Sequence, residues 1–143
     1  MERGERMPPE ASFSLNILIL ATVVTIAAVG AIYWLSRKWY TKRNGGLRKK
    51  RYASRTHVVI NYTFYALFLA GTVLVNVLQE FFEPSIFIIF LLFYAIYTGI
   101  SVHMWKRESD NPDDYRYEWF VHGGTLAVAA IGLTAALLAL EYV

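Results

Sequence analysis

The sequence predicts an all-α integral membrane protein, a four-helix bundle that crosses the bilayer four times. Three observations predict it. Hydrophobic residues make up 56% of the 143-residue chain and aromatics 16%, more apolar surface than a soluble domain of this size can hide. The charged residues come in blocks between long apolar runs. Four of those runs reach the length of roughly 20 residues that a helix needs to cross the hydrocarbon core. The runs are continuous rather than alternating, which excludes a β-barrel. No cysteine is present, which excludes disulfides, thiolate metal ligands, Fe–S clusters and thiol nucleophiles.

The expected spans cover residues 15–35, 58–78, 86–104 and 120–140 of a single membrane domain, 1–143. None contains Asp, Glu, Lys or Arg. Ahead of the first span, Arg3 and Arg6 are offset by Glu2, Glu5 and Glu10, and Arg37-Lys38 follows it. A cleaved signal peptide has a net positive head and a shorter apolar run. This segment is therefore read as a span with a stop-transfer end. An outer turn is expected at 79–85, where Pro84 suits the first turn of a helix. The length of that turn makes spans two and three an antiparallel pair.

Charge sets the expected orientation. The loop at 37–56 carries Arg37, Lys38, Lys42, Arg43, Arg48, Lys49, Lys50, Arg51 and Arg55 and no acid. The loop at 105–119 adds Lys106, Arg107 and Arg116. Positive residues in short loops stay in the cytoplasm, so both loops are expected inside and both termini outside. Tyr33, Trp34, Trp39, Tyr40, Trp105, Trp119 and Tyr142 fall at span ends, where aromatic rings favour the headgroup level. The Asn44-Gly45-Gly46 turn is expected to cap the first helix near Arg43, with a restart near Leu47.

Helical spacing gives the spans faces. In span two, Asn61, Tyr65, Thr72, Asn76 and Gln79 fall within roughly 60° of one another. Amides facing lipid would lose their partners, so this face should look inward. In span three, Tyr94, Tyr97, Thr98, Ser101 and Trp105 share a sector of about 100°. In span four, Thr125, Ala129, Gly132, Ala136 and Ala139 form a small-residue seam that lets helix backbones approach. Ala21, Thr25 and Ala28 offer the same step in span one. The plain expectation for these faces is helix packing. The sharper one is a polar path for an ion or small solute lined by Asn61, Asn76, Thr98 and Ser101. No charged residue sits at mid-membrane, which argues against a pump or proton-coupled transporter.

Chemistry-bearing motifs are few. His57, His103 and His122 all fall at the same expected interface, with Glu118 and the other acids of 105–119. Imidazoles and carboxylates are Zn or Fe ligands, but the tight spacings that mark such sites are absent, so no cofactor is expected. The acids of 105–119 are expected in a solvated loop, with Asp113 or Asp114 capping the helix into span four. Phosphate-binding Gly loops, nucleophile elbows and His-Glu-x-x-His are all absent. The basic loop is expected to meet anionic lipid headgroups and to pair with the acidic second loop. Nucleic acid is not an expected partner, because no binding fold accompanies the cations.

Two stretches carry a family resemblance: Ser54-Arg55-Thr56-His57-Val58-Val59-Ile60-Asn61, and His103-Met104-Trp105-Lys106-Arg107-Glu108-Ser109-Asp110-Asn111-Pro112-Asp113-Asp114-Tyr115. Over about residues 37–120 the chain resembles a family of small four-span membrane proteins of unknown function from Bacillus-like bacteria. The resemblance implies a membrane location and this topology, and nothing about chemistry. The first functional expectation is a non-catalytic inner-membrane bundle, an accessory, scaffold or regulatory subunit that acts as a homo-oligomer or with a membrane-protein partner. The second is a small channel or transporter built on the polar face of span two. The third is a metal-dependent enzyme or sensor using the histidines.

Overall fold

A computed structural model describes residues 9–77 and 84–141. It is all-α. Helix α1 spans Pro9–Asn44, α2 Arg55–Val77, α3 Pro84–Glu108, α4 Pro112–Glu118 and α5 Gly124–Glu141. A π-helical turn, Trp119–Gly123, joins α4 to α5 without a break. Among the described residues, four segments are long and apolar enough to cross a membrane: Asn16–Asn44, Arg55–Val75, Ile86–Glu108 and Pro112–Ala139. The chain is a multi-pass membrane protein with the expected span count. Most of the expected outer turn 79–85, with Gln79, lies outside the described residues, as does the side chain of Asn76.

The element ends have local causes. Helix α1 stops because Gly45 takes φ 70, the left-handed conformation open to glycine. The Gly45 N–H still reaches Thr41 O at 2.9 Å. The helix thus runs past the span and ends at Asn44, close to the expected cap near Arg43, where the cations Lys42 and Arg43 suit a helix C-terminus. The expected restart near Leu47 does not occur; residues 45–54 stay irregular until Ser54 caps α2, its Oγ accepting from His57 N–H at 3.2 Å. The expected acidic loop at 105–119 is corrected more strongly. Only 109–111 separate α3 from α4. The cap is Asn111, whose side chain accepts from Asp113 N–H at 3.0 Å, with Pro112 in the first turn. Asp113 and Asp114 therefore lie inside the helix they were expected to cap.

Neighbour contacts order the helices as α1, α5, α3, α2. The α1–α5 contact brings together residues from the two small-residue seams. Gly132 faces Thr25 so closely that a Cβ there would lie 2.7 Å from its Oγ1, and a Cβ on Gly124 would lie 2.9 Å from Ile32 Cγ2. Ala21, Thr25, Gly132 and Ala136 line one shallow cavity between the helices. Helix α2 packs on α3 through rings, Phe64 on Phe93 with centroids 4.6 Å apart and Phe68 on Phe90 at 5.2 Å.

The burial pattern is inverted relative to a soluble bundle. Ile26, Leu69, Val77 and Ile131 are among many large apolar side chains left exposed along the spans. Among the described residues, the buried set is Ser36, His57, Asn61, Thr98, Ser101, Asp113, Asp114 and Glu118, with only Tyr40 and Trp105 from the hydrophobic class. Lipid takes the apolar faces, and the polar groups must find one another. Nearly all of these residues sit toward the end of the bundle that carries the 45–54 loop, here called the loop end.

Gly132→Val should loosen the α1–α5 pair by about 1–3 kcal/mol, because the added methyls meet Thr25. The control is Gly30→Val on α1, where a Cβ meets nothing within 4 Å. Unfolding of both variants in mixed micelles compares them; equal stability would refute the packed seam.

Candidate functional site

Glu118 is the centre of the loop end. It closes α4, is 5% exposed, and has three polar side chains in direct contact. Arg48 Nη2 donates to its Oε1 at 2.6 Å. Ser101 Oγ donates to its Oε2 at 2.9 Å, and His122 Nε2 lies 3.1 Å from the same oxygen. His57 joins through Ser101, its Nε2 3.0 Å from Ser101 Oγ. Arg48 comes from the irregular loop, Ser101 from α3, His57 from α2 and His122 from the π turn. One carboxylate thus gathers groups from every part of the loop end except α1.

The hydrogen-bond directions follow from the donors. Ala53 N–H donates to His57 Nδ1 at 3.1 Å, so Nδ1 is an acceptor and carries no proton. The proton of a neutral His57 is then on Nε2 and points to Ser101 Oγ. Ser101 Oγ–H in turn points to Glu118. A serine, a histidine and a glutamate in contact suggest a hydrolase, yet the order is wrong for one. A nucleophilic serine needs a deprotonated imidazole nitrogen to take its proton. Here that nitrogen is a donor, and Ser101 is 1% exposed.

The π turn has a geometric consequence. Asp114, Glu118 and His122 are spaced by fours, and on a regular helix two such steps drift by about 80°. A wider turn absorbs the extra residue. Glu118 and His122 therefore face the same interior, and the small-residue seam of α5 continues from there. The ring of His122 meets Tyr94 and Tyr97, and its Nδ1 lies 2.8 Å from Tyr94 Oη. Tyr97 Oη donates to Asn61 Oδ1 at 2.5 Å, and Asn61 Nδ2 donates to Tyr52 Oη at 3.2 Å. Polar contact thus runs from the loop to Tyr94, about 16 Å along α3 from Trp105.

A second cluster ties the end of α1 to the start of α4. Tyr40 Oη donates to Asp114 Oδ1 at 2.5 Å, and Ser109 Oγ donates to the other oxygen. Arg43 Nε reaches Asp113 at 3.0 Å, joined by Asn44 Nδ2 at 3.3 Å. Above both clusters, the Arg48 guanidinium lies 3.9 Å from the Trp105 ring centroid and 5.0 Å from that of Tyr117. Such stacking adds about 0.5–2 kcal/mol and shields the ion pair from water. Arg48 Nη1 and Trp105 Nε1 are buried donors without a partner.

The expected site residues divide clearly. Asn61, Thr98 and Ser101 are buried together, as their shared faces predict. Tyr65 is instead 67% exposed, although Asn61 on the same face is buried. Thr72 bonds Phe68 O at 2.9 Å, a satisfied backbone contact within its own helix. The expected solvated acids Asp113, Asp114 and Glu118 are buried, because cations and hydroxyls from α1, α3 and the loop reach them. The expected pairing of the basic loop with the acidic segment is present, through Arg43 and Arg48. Tyr40 and Trp105, expected at the headgroup level, are in the core. For Tyr40 the signal was available: Ile32, Ser36 and Tyr40 continue the seam of α1 by fours. The histidines do not converge. His57 and His122 flank Glu118, but His103 is exposed on another face. Among the described residues no three His, Asp or Glu side chains are placed to share a metal ion.

Glu118→Leu should cost about 3–5 kcal/mol, because it strands the mostly buried Arg48. The double variant Arg48→Met/Glu118→Leu should lose clearly less than the sum of the singles, a coupling read from a double-mutant cycle. Arg43→Ala removes a half-exposed partner of Asp113 and should cost about 1 kcal/mol or less. Additive singles at 48 and 118 would refute the buried pair.

In comparisons with known proteins, no protein-family model, no curated protein and no solved structure matches this chain.

Proposed function

We propose that this chain is a small non-catalytic protein of the bacterial cytoplasmic membrane, an accessory or regulatory subunit that holds a basic face against the inner surface of the bilayer. Both termini lie outside and the loop end lies inside. The observation that carries the proposal is the Arg48–Glu118 pair. A loop that served only as a topology signal would need no buried anchor, whereas this one is folded back and pinned at its centre. Pinning holds the loop that carries Lys49, Lys50 and Arg51 beside Arg37 of α1.

The channel alternative has less support. The buried polar side chains cluster at the loop end, and farther along, α2 meets α3 through phenylalanines. The hydrolase alternative is opposed by the proton order at Ser101 and by its burial.

Three measurements test this proposal. A cysteine introduced at Gly45 should resist an impermeant thiol reagent until the membrane is opened, and one at Glu83 should react from outside; the reverse pattern overturns the orientation. A fluorophosphonate probe should leave Ser101 unmodified; labelling that disappears in Ser101→Ala overturns the non-catalytic assignment. Purification in mild detergent should yield a particle larger than one chain, and a monomer in every mild detergent overturns the subunit role.

A further inference from the structure

One cavity at the loop end has a lining unlike the others. It measures about 430 Å³ and lies between α1, the 45–54 loop and α4. Its wall includes Tyr33, Arg37, Lys49, Lys50, Arg51 and Tyr117, and it contains no acid. Arg48 lines it too, but Glu118 already neutralises that charge. Among the described residues, Arg37, Lys49, Lys50 and Arg51 have no ion-pair partner. The neighbouring cavity, about 480 Å³, shares Lys49 and Lys50 but also carries Glu108, Asp110 and Asp114. Mixed charge there favours no anion. The first cavity has the size of small-ligand sites, about 300–1,000 Å³, and four uncompensated cations converge on it.

Position narrows the ligand. On α1 the cavity borders directly on the apolar belt. Tyr33, Trp34 and Leu35 are 50%, 59% and 56% exposed, and Arg37 follows two residues later. A molecule with an anionic head and apolar tails would place its head among the cations and lay its tails along these side chains. Guanidinium groups donate in a planar fork that matches phosphate oxygens, and the tyrosine hydroxyls add neutral donors. We infer that this cavity is a discrete binding site for the phosphate headgroup of an anionic phospholipid, with Arg37 and Arg51 as its phosphate ligands. It rests on the proposed role of the basic face and gives that role a defined ligand in place of diffuse attraction.

The test uses full-length, delipidated protein in a zwitterionic detergent, titrated with phosphatidylglycerol, phosphatidylcholine or inorganic phosphate and read by native mass spectrometry. Phosphatidylglycerol should be retained at one molecule per chain, and phosphatidylcholine should not. Arg37→Gln/Arg51→Gln should weaken retention by about 10- to 30-fold. Lys106→Gln/Arg107→Gln, with the same loss of charge at the end of α3, should leave retention within about twofold. Arg37→Lys/Arg51→Lys keeps the charge and should restore most of the binding, which separates ligand loss from misfolding. Equal losses in the two glutamine pairs, or equal retention of both lipids, would overturn the site. Inorganic phosphate that displaces the lipid at equal concentration would overturn the lipid assignment and leave a site for free phosphate. Binding in detergent is blind to sidedness, so its failure stands apart from a failure of the proposed orientation.

Discussion

A carboxylate at the edge of a hydrocarbon layer has no stable position without a cation, and Glu118 is such a carboxylate. Removing an ion from water carries a penalty of several kcal/mol even after relaxation. Arg48 and Ser101 offset it, at 2.6 and 2.9 Å. Much of the loop end follows from this requirement. The chain between α1 and α2 must fold back far enough to bring Arg48 to Glu118, so the helix has to end early enough to leave slack. Gly45 supplies that end. Trp105 and Tyr117 then cover the guanidinium, which explains why a tryptophan expected at the headgroup level is buried.

The two halves of the bundle are held by different forces. In water, apolar side chains gather because water excludes them. In lipid that drive is absent between helices, and close packing and hydrogen bonds replace it. Toward the membrane interior the protein uses packing: small residues on α1 and α5, and phenylalanine pairs on α2 and α3. At the loop end it uses charge and hydrogen bonds. The π turn lies at the border between the two regimes. It lets one continuous helix present acids and a histidine to the polar cluster, then small residues to α1.

Much of this was legible in the sequence because membrane helices obey two strong constraints, length and charge exclusion. The spans follow from those alone, and the small-residue seams and the faces carrying Asn61, Thr98 and Ser101 follow from helical spacing; that α1 pairs with α5 does not. The acids of 105–119 were misjudged for a physical reason. Asp110-Asn111-Pro112-Asp113-Asp114 has the composition of a turn; Asn111 and Pro112 start a helix there locally, but only tertiary partners bury its acids. Those partners, Tyr40, Arg43, Asn44 and Arg48, lie about 70 residues earlier, and no local pattern links them. Which of nine cations would be buried was equally hidden, since all nine carry the same charge. Arg48 is selected by the aromatic rings that the fold places on either side of it.

The position of α2 shows how far one layer of polar contacts can specify a fold. This helix touches α3 but neither α1 nor α5 among the described residues. Its phenylalanine contacts would tolerate sliding by a turn, because ring-on-ring packing is weakly directional and lipid receives any side chain that moves out. Hydrogen bonds do not tolerate it. His57 is fixed on three sides, by Ala53 N–H, Ser101 Oγ and the edges of Tyr52 and Trp105. Asn61, one turn deeper, is fixed by Tyr97 and Tyr52. A shift of α2 by one turn, about 5.4 Å, would break the His57–Ser101 and Tyr97–Asn61 hydrogen bonds to α3, in a layer with little water to replace them. Register in the least enclosed helix is therefore set at its first two turns, by the same network that neutralises Glu118.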